Sequence, residues 1–228
     1  PEELMHFVKN ASLDLGLAFD GDADRMLAVD ENGELVDGDK VIAICSQRLK
    51  NEGRLAKNTA VVTVMSNMGF FKFCKENGID CAKTAVGDRY VLERMIKEGY
   101  NIGGEQSGHV IFLDYATTGD GELSGVQLVE TVVKSGKKLS ELAAVMKVYP
   151  QVLINVEVTA EGKQKYNNDE YIISAVQEAE MELSGDGRVL VRVSGTEPLV
   201  RVMLEGADIE QITKLGNRIA DVVKERLG

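Results

Sequence analysis

The chain has 228 residues, 44% of them hydrophobic, which is enough for two domains of ordinary size. Its formal net charge of −11 argues against nucleic acid or an anionic membrane surface as a partner, yet leaves room for an anionic ligand where arginines gather. No stretch has the apolar length of a membrane span and no signal peptide is visible. The three cysteines, Cys45, Cys74 and Cys81, lack metal spacing and read as buried thiols of a reducing, cytoplasmic compartment.

Residues 1–10 read as a short helix with Pro at its first position and acids in its first turn. The absence of an initiator Met points to excision from something longer. The apolar run Leu15-Gly-Leu-Ala-Phe19 then predicts a buried strand. It empties into Asp20-Gly-Asp-Ala-Asp-Arg25, in which small residues alternate with acids and let three carboxylates converge. Held that close they repel unless a cation sits among them, and their oxygens suit a hard ion such as Mg²⁺. An EF-hand would need glycine where Arg25 stands and helices as flanks. A phosphatase-type aspartate nucleophile would need neither the third Asp nor the Arg. A plain acidic turn does not account for so charged a cluster ending so apolar a strand.

Strands at 26–30 and 34–36 flank the turn signal Asn32-Gly33. The spacing then predicts a helix over 40–50, a β-branched strand at 59–65, a helix at 69–76, a strand at 81–85 and a helix at 90–97. Short strands at 101–103 and 110–113 bracket a glycine-rich connection, and helices follow at 121–134 and 140–148. Alternating strands and helices indicate an α/β domain with a mixed, largely parallel sheet over 13–148. Beyond Tyr149-Pro150 the pattern changes to a strand (151–158), a helix (169–183), two strands (189–194, 199–205) and a helix (209–227). This β-α-β-β-α unit over 149–228 is a small α+β domain.

Three further segments carry chemistry. In Arg192-Val-Ser-Gly-Thr-Glu-Pro-Leu-Val-Arg201, Ser194 and Thr196 offer hydroxyls, Gly195 allows close backbone approach, and the two arginines match phosphate oxygens. The plainer reading is a hairpin whose arginines pair with Glu197 and Glu205. In Gly103-Gly-Glu-Gln-Ser-Gly-His109, Glu105 and Ser107 suit adjacent sugar hydroxyls, while His109 either shuttles a proton or fills a structural place. Asp88 and Arg89 lie between a strand and a helix, where α/β sheets bind ligands, and read equally well as a helix-cap and surface pair.

The segments 20–25, 104–109 and 192–198, in this order and spacing, resemble the α-D-phosphohexomutases over essentially the whole chain. Thr84-Ala-Val-Gly-Asp-Arg-Tyr90, Gln106 and Thr117-Thr-Gly-Asp-Gly121 narrow the resemblance to a bacterial branch acting on an amino-sugar phosphate. Members of the family have four domains. The chain looks like the third (13–148) and fourth (149–228), with 1–12 as the tail of the second. The resemblance implies that Asp20, Asp22 and Asp24 ligate Mg²⁺, and that Arg25 contacts a phosphoserine of the first domain. It further implies that Glu105 and Ser107 read the sugar, and that Arg192, Ser194, Gly195, Thr196 and Arg201 hold the non-reacting phosphate. Asp88, Arg89 and His109 fall among the catalytic groups. Some relatives carry His where Asp88 stands and Lys where Met65 stands, which leaves the general acid/base unassigned.

The implied activity of the whole protein is interconversion of glucosamine 6-phosphate and glucosamine 1-phosphate through a bisphosphate, feeding amino-sugar nucleotide and cell-wall precursor synthesis. Phosphoglucomutase or phosphomannomutase activity, and a non-catalytic phosphosugar-binding module, are the alternatives. The family's nucleophile stands in a Ser-His-Asn context, and no serine here is followed by His-Asn. By itself the chain is therefore expected to be inactive, with the N-terminal domains as its partner. The resemblance leaves a homodimer of the whole protein open.

Overall fold

Helix α1 (Glu2–Ala11) begins behind Pro1 with Glu2 and Glu3 in its first turn and Lys9 in its last, a charge order that complements the helix dipole. It ends at Ser12 in the left-handed region, φ 53°. In this computed structural model, which describes every residue of 1–228 except Thr196, the chain forms two units, Pro1–Lys147 and Val148–Gly228. Helix α1 belongs to the first unit. It lies so close to strand β1 (Leu15–Phe19) that a β-carbon on Gly16 would sit 2.6 Å from Val8 Cγ2.

Strand β1 pairs antiparallel with β2 (Met26–Asp30), setting Phe19 opposite Met26, and β3 (Leu35–Val36) continues the sheet on the far side of β2. The turn between β2 and β3 is closed by the Asp30 carboxylate, which accepts from the backbone of Asn32 (2.9 Å) and Glu34 (3.0 Å), with Gly33 at φ 82°. The expected burial of β1 needs correcting. It is an outer strand, only partly covered, because it has a neighbour on one side alone.

The second sheet has the order β5-β4-β6-β7. Strand β4 (Thr59–Thr63), wholly buried, runs parallel to both β5 (Asp80–Thr84) and β6 (Ile102–Gly104), and β7 (Val110–Phe112) returns antiparallel on β6. The parallel character expected from the sequence thus resides in this sheet, while β1–β3 form an antiparallel sheet of their own. Helices α2 (Gly38–Asn51), α3 (Met68–Glu76), α4 (Asp88–Glu98) and α5 (Gly121–Ser135) join and cover the strands. Val41, Ile42, Cys45, Phe70, Phe73, Ile102 and Leu128 meet in one apolar core. Burial there pushes the Cys45 thiol up to about 12, so it stays protonated. Cys81 is half-buried rather than buried, since β5 is an outer strand.

Helix α6 (Leu139–Ala143) is shorter than the helix expected over 140–148. Its last turns tighten, with Val145 N–H donating to Leu142 and Met146 N–H to Ala143, and the chain then runs without regular structure into Pro150. In the second unit β10 (Leu199–Gly206) is the central strand between β8 (Gln151–Glu157) and β9 (Gly187–Val193), all antiparallel. Helices α8 (Glu170–Leu183) and α9 (Ile209–Leu227) cover Val200, Val202 and Leu204. The short helix α7 (Ala160–Lys165) escaped the sequence reading because its Gly162 breaks the apolar rhythm. That glycine is required: a β-carbon there would lie 2.3 Å from the Leu227 carbonyl oxygen. Among the described residues no helix is long and apolar enough to cross a membrane.

Leu204 is fully buried in the second unit's core. Leu204→Ala is expected to cost about 2–5 kcal/mol. Urea unfolding followed by probes in each unit should show the loss in the second unit's transition only; a shift common to both would mean the units unfold as one.

Candidate active site

The carboxylates of Asp20, Asp22 and Asp24 follow directly from β1, and each offers an oxygen within 4.8 Å of the others'. The turn that gathers them is made by Ala23, at φ 58°, whose N–H donates to the Asp20 carbonyl at 3.2 Å. Gly21 has open space around it, so the conformational demand falls on Ala23 instead. Partial desolvation, and then the charges of Asp22 and Asp20, raise the Asp24 pKa above its ordinary value, against a lowering by His109. Arg25 Nε stands 3.8 Å from both Asp20 and Asp24, and its backbone N–H donates to Asp20 Oδ1 at 3.3 Å. A hard cation would relieve the same repulsion that shifts Asp24, and an all-carboxylate donor set fits Mg²⁺.

His109 lies almost fully covered, with Nε2 facing Asp24 (3.5 Å) and Asp88 (3.9 Å). Its Nδ1 is buried without a hydrogen-bond partner among the described residues. The imidazole rests on the backbone of Gly119, where a β-carbon would come 2.2 Å from Nε2. Two residues on, Gly121 N–H donates to the Ala23 carbonyl at 2.8 Å, and a β-carbon there would meet the backbone of Ala23 and Arg25. Asp120 between them caps α5 by accepting from Leu123 N–H at 2.9 Å. The segment 117–121 is therefore the buttress of the aspartate loop and of His109. Residue chemistry alone did not mark it, because two glycines contribute shape rather than functional groups.

The glycine-rich loop 103–109 is held on three sides. Gly108, at φ 99°, accepts from Met26 N–H (3.1 Å), Gln106 accepts from Gly38 N–H through its carbonyl (3.0 Å), and the Gln106 side chain donates to Asp37 (3.1 Å). Glu105 accepts from Gly87 N–H at 3.1 Å, which brings this glutamate to the start of α4. Ser107 is exposed. Asp88 faces His109, whereas Arg89 points to solvent and pairs with Glu93 on the next turn at 2.7 Å, the plainer of its two readings. Met65 follows β4, its N–H on Thr63 Oγ1 at 3.1 Å. The structure thus brings together Asp20, Asp22, Asp24, Arg25, Asp88, Glu105 and His109 around the C-terminal ends of β1, β5 and β6. It leaves Arg89 outside.

In the second unit Arg192 and Arg201 are cross-strand partners on β9 and β10. Partial burial, and then the charge of Arg201, lower the Arg192 pKa. Arg201 gives one terminal nitrogen to Glu197 at 2.6 Å, while its Nε is buried without a partner among the described residues. The Ser194 hydroxyl accepts from Glu197 N–H at 3.2 Å and shapes the turn, Gly195 is exposed, and Thr196 lies outside the described residues. Glu205 pairs with Arg188 at 2.5 Å, and of the two pairings of the plain hairpin Arg201–Glu197 is made, at 2.6 Å.

The first unit holds the aspartate loop and the glycine-rich loop, and the second holds the paired arginines. Residues 37–149 match the model of phosphoglucomutase/phosphomannomutase alpha/beta/alpha domain III, and residues 153–222 match that of the phosphoglucomutase/phosphomannomutase C-terminal domain. The chain belongs to the phosphoglucomutase/phosphomannomutase family. Among its relatives, the phosphoglucosamine mutase of Brevibacillus brevis is 60% identical over 227 residues and that of Bacillus subtilis 57% over 228, each covering all of this chain and 50% of the relative. The chain thus spans about half the length of the curated relatives it matches. The fold is shared with a phosphoglucomutase/phosphomannomutase family protein from Burkholderia thailandensis (TM-score 0.80, 19% identity, 100% of this chain, 50% of that one). It is shared too with Aspergillus fumigatus N-acetylphosphoglucosamine mutase, solved with GlcNAc-6P and magnesium (TM-score 0.75, 22% identity, 93% and 49%).

Proposed function

We propose that the chain is the C-terminal half of a phosphoglucosamine mutase, an isomerase that interconverts glucosamine 6-phosphate and glucosamine 1-phosphate in the cytoplasm. The observation that carries this reading is the convergence of the three aspartates, His109, Asp88 and Glu105 at one end of the first unit. The 55–60% identity of phosphoglucosamine mutases over the chain supports the substrate. Asp20, Asp22 and Asp24 would hold Mg²⁺, which when bound supplies positive charge against the oxygens of the transferred phosphoryl group. Arg25 then adds a guanidinium on the same side, directed at a phosphoserine contributed by the N-terminal half. Glu105, fixed by Gly87 N–H, and Ser107 read the sugar hydroxyls. His109 Nε2, with Asp88 beside it, is positioned to hold or move a proton at the sugar oxygen. Arg192, Arg201, Ser194, Gly195 and Thr196 take the phosphate that does not react. An anion there satisfies the buried Arg201 Nε and relieves the repulsion of two cross-strand arginines.

The test is turnover. The protein expressed with the residues encoded ahead of Pro1 should convert glucosamine 6-phosphate with Mg²⁺ far faster than the glucose or mannose phosphates, while the 228-residue chain converts none. A preference for glucose or mannose phosphates would move it to the phosphoglucomutase/phosphomannomutase branch, and no turnover by the longer protein would overturn the reading. The phosphate site is tested separately by NMR titration of the chain with glucosamine 6-phosphate. Shifts should cluster around 194–197, with a millimolar Kd (about −4 kcal/mol). Arg192→Lys should weaken binding roughly tenfold although charge is kept, since an ammonium cannot reproduce the guanidinium fork.

A further inference from the structure

We propose that Cys74 and Cys81 form an oxidisable dithiol, a site at which peroxide converts two facing thiols into a reversible disulfide between α3 and β5. Neither residue takes part in the proposed phosphoryl transfer.

The fold places the pair. Helix α3 is followed by Gly78 at φ 60°, and the chain doubles back at once. Ile79 N–H donates to the Cys74 carbonyl at 2.8 Å, and β5 begins one residue later, so helix and strand pass antiparallel to one another. Along this pass Lys83 Nζ sits over the ring of Phe71, 4.0 Å from its centroid. Cys74 lies one helical turn on from Phe71, and Cys81 lies two residues back from Lys83 on the same face of the strand. The register that stacks Lys83 on Phe71 therefore sets Cys81 against Cys74, and the two thiols are in hydrogen-bond contact. Cys74 belongs to the apolar core of the first unit, and Cys81 packs against that core.

The two sulfurs differ in reach. Cys74 is 2% exposed, whereas Cys81, on an outer strand, is half-buried. The hydrogen bond from Cys74 holds the Cys81 thiol below its ordinary pKa, with burial opposing and the charge of Lys83 assisting. The same bond, and then burial, push Cys74 up. A thiol that ionises within reach of solvent, beside one that stays protonated, supplies an attacking and a resolving cysteine. The Cys81 thiolate takes one oxygen from hydrogen peroxide. The O–O bond breaks, the sulfur is oxidised to a sulfenic acid, and the leaving hydroxide regains the Cys81 proton and departs as water. Cys74 then attacks the Cys81 sulfur, the S–O bond breaks, and a second water carries off the Cys74 proton. Two thiols and one peroxide become one disulfide and two waters. Cys45, in the same core, is the contrast: it is fully buried and pushed up to about 12, and has no thiolate to offer.

Oxidation of the wild-type 228-residue chain tests this directly. With a slight excess of hydrogen peroxide the reduced chain should fall from three free thiols to one. Trypsin, which cuts between the two cysteines at Lys75, should release peptides joined through residues 74 and 81 that dithiothreitol separates. Cys81 should react at least about tenfold faster than Cys45. In Cys74→Ser the reaction should stop at a sulfenic acid on Cys81, captured by dimedone, and in Cys81→Ser both remaining thiols should stay reduced. Three thiols surviving peroxide that oxidises glutathione in the same tube overturn the proposal. A disulfide that involves Cys45 or joins two chains overturns it too, as does a Cys81 sulfenic acid that persists in the wild type with Cys74 beside it.

Discussion

Replacing Asp20, Asp22 and Asp24 together with Asn is expected to abolish divalent-ion binding by this chain and to lower turnover of the longer protein by at least about 10³-fold. The substitution keeps size and hydrogen-bonding capacity but removes every negative charge from the site. Calorimetry with Mg²⁺ reads the first effect: wild type should bind weakly and the triple variant not at all, and equal affinities would refute the assignment. The pH dependence follows from the shift of Asp24. Its pKa is raised in the folded chain, so the ionised form is the disfavoured one and the metal-free loop loses repulsion as pH falls. Protons and the cation compete for the same oxygens, so Mg²⁺ affinity should drop between about pH 6 and pH 4, where carboxylates titrate. The triple variant, having nothing to titrate there, should show no such loss of metal-free strain. Its stability at neutral pH should equal or exceed that of the wild type, as like charges have been removed without disturbing the core.

What could be read from the residues, and what could not, divides along physical lines. Alternation of apolar runs and helical spacing placed nearly every strand and helix, because Thr59–Thr63 and Ile209–Leu227 announce their burial through composition alone. Two errors of extent had local causes. Helix α6 stops at Ala143, where β-branched Val145 and the approach of Pro150 disfavour another turn, and α7 hides behind Gly162. The partial exposure of β1 was not legible because an apolar strand reads the same whether its edge is filled or open; only the pairing settles it. At the site, groups with charge or hydroxyls were visible as chemistry. The roles of Gly119 and Gly121 were not, since a glycine's purpose lies in what it allows to approach. The sequence also left Asp88 and Arg89 equivalent, and the fold separates them. Asp88 sits in the first turn of α4 and, though exposed, reaches to 3.9 Å from His109 Nε2, while Arg89, one residue on, is carried around the helix to Glu93.

Gly119→Ala is expected to lower kcat of the longer protein by about 10²-fold or more, the scale associated with losing an oriented proton-transfer group. The new β-carbon would stand 2.2 Å from His109 Nε2, a separation that one of the two must abandon. The loop cannot easily give way: Gly121 is tied to Ala23 at 2.8 Å, and Asp120 is committed to the start of α5 at 2.9 Å. The imidazole must therefore swing from its place beside Asp24 and Asp88. The phosphate site proposed for the second unit involves none of these groups, so KM should change much less than kcat. Overpacking a site this closely built should also cost about 1–3 kcal/mol of stability, so thermal unfolding must be measured alongside. Coupling distinguishes a positioning role from general damage. If Gly119 acts through His109, then Gly119→Ala made in a His109→Ala background has little further effect on kcat, and much of the stability is recovered because the imidazole no longer occupies the space. Independent, multiplicative losses in the double variant would show instead that residue 119 serves the aspartate loop directly, and that the histidine's contact with it is incidental.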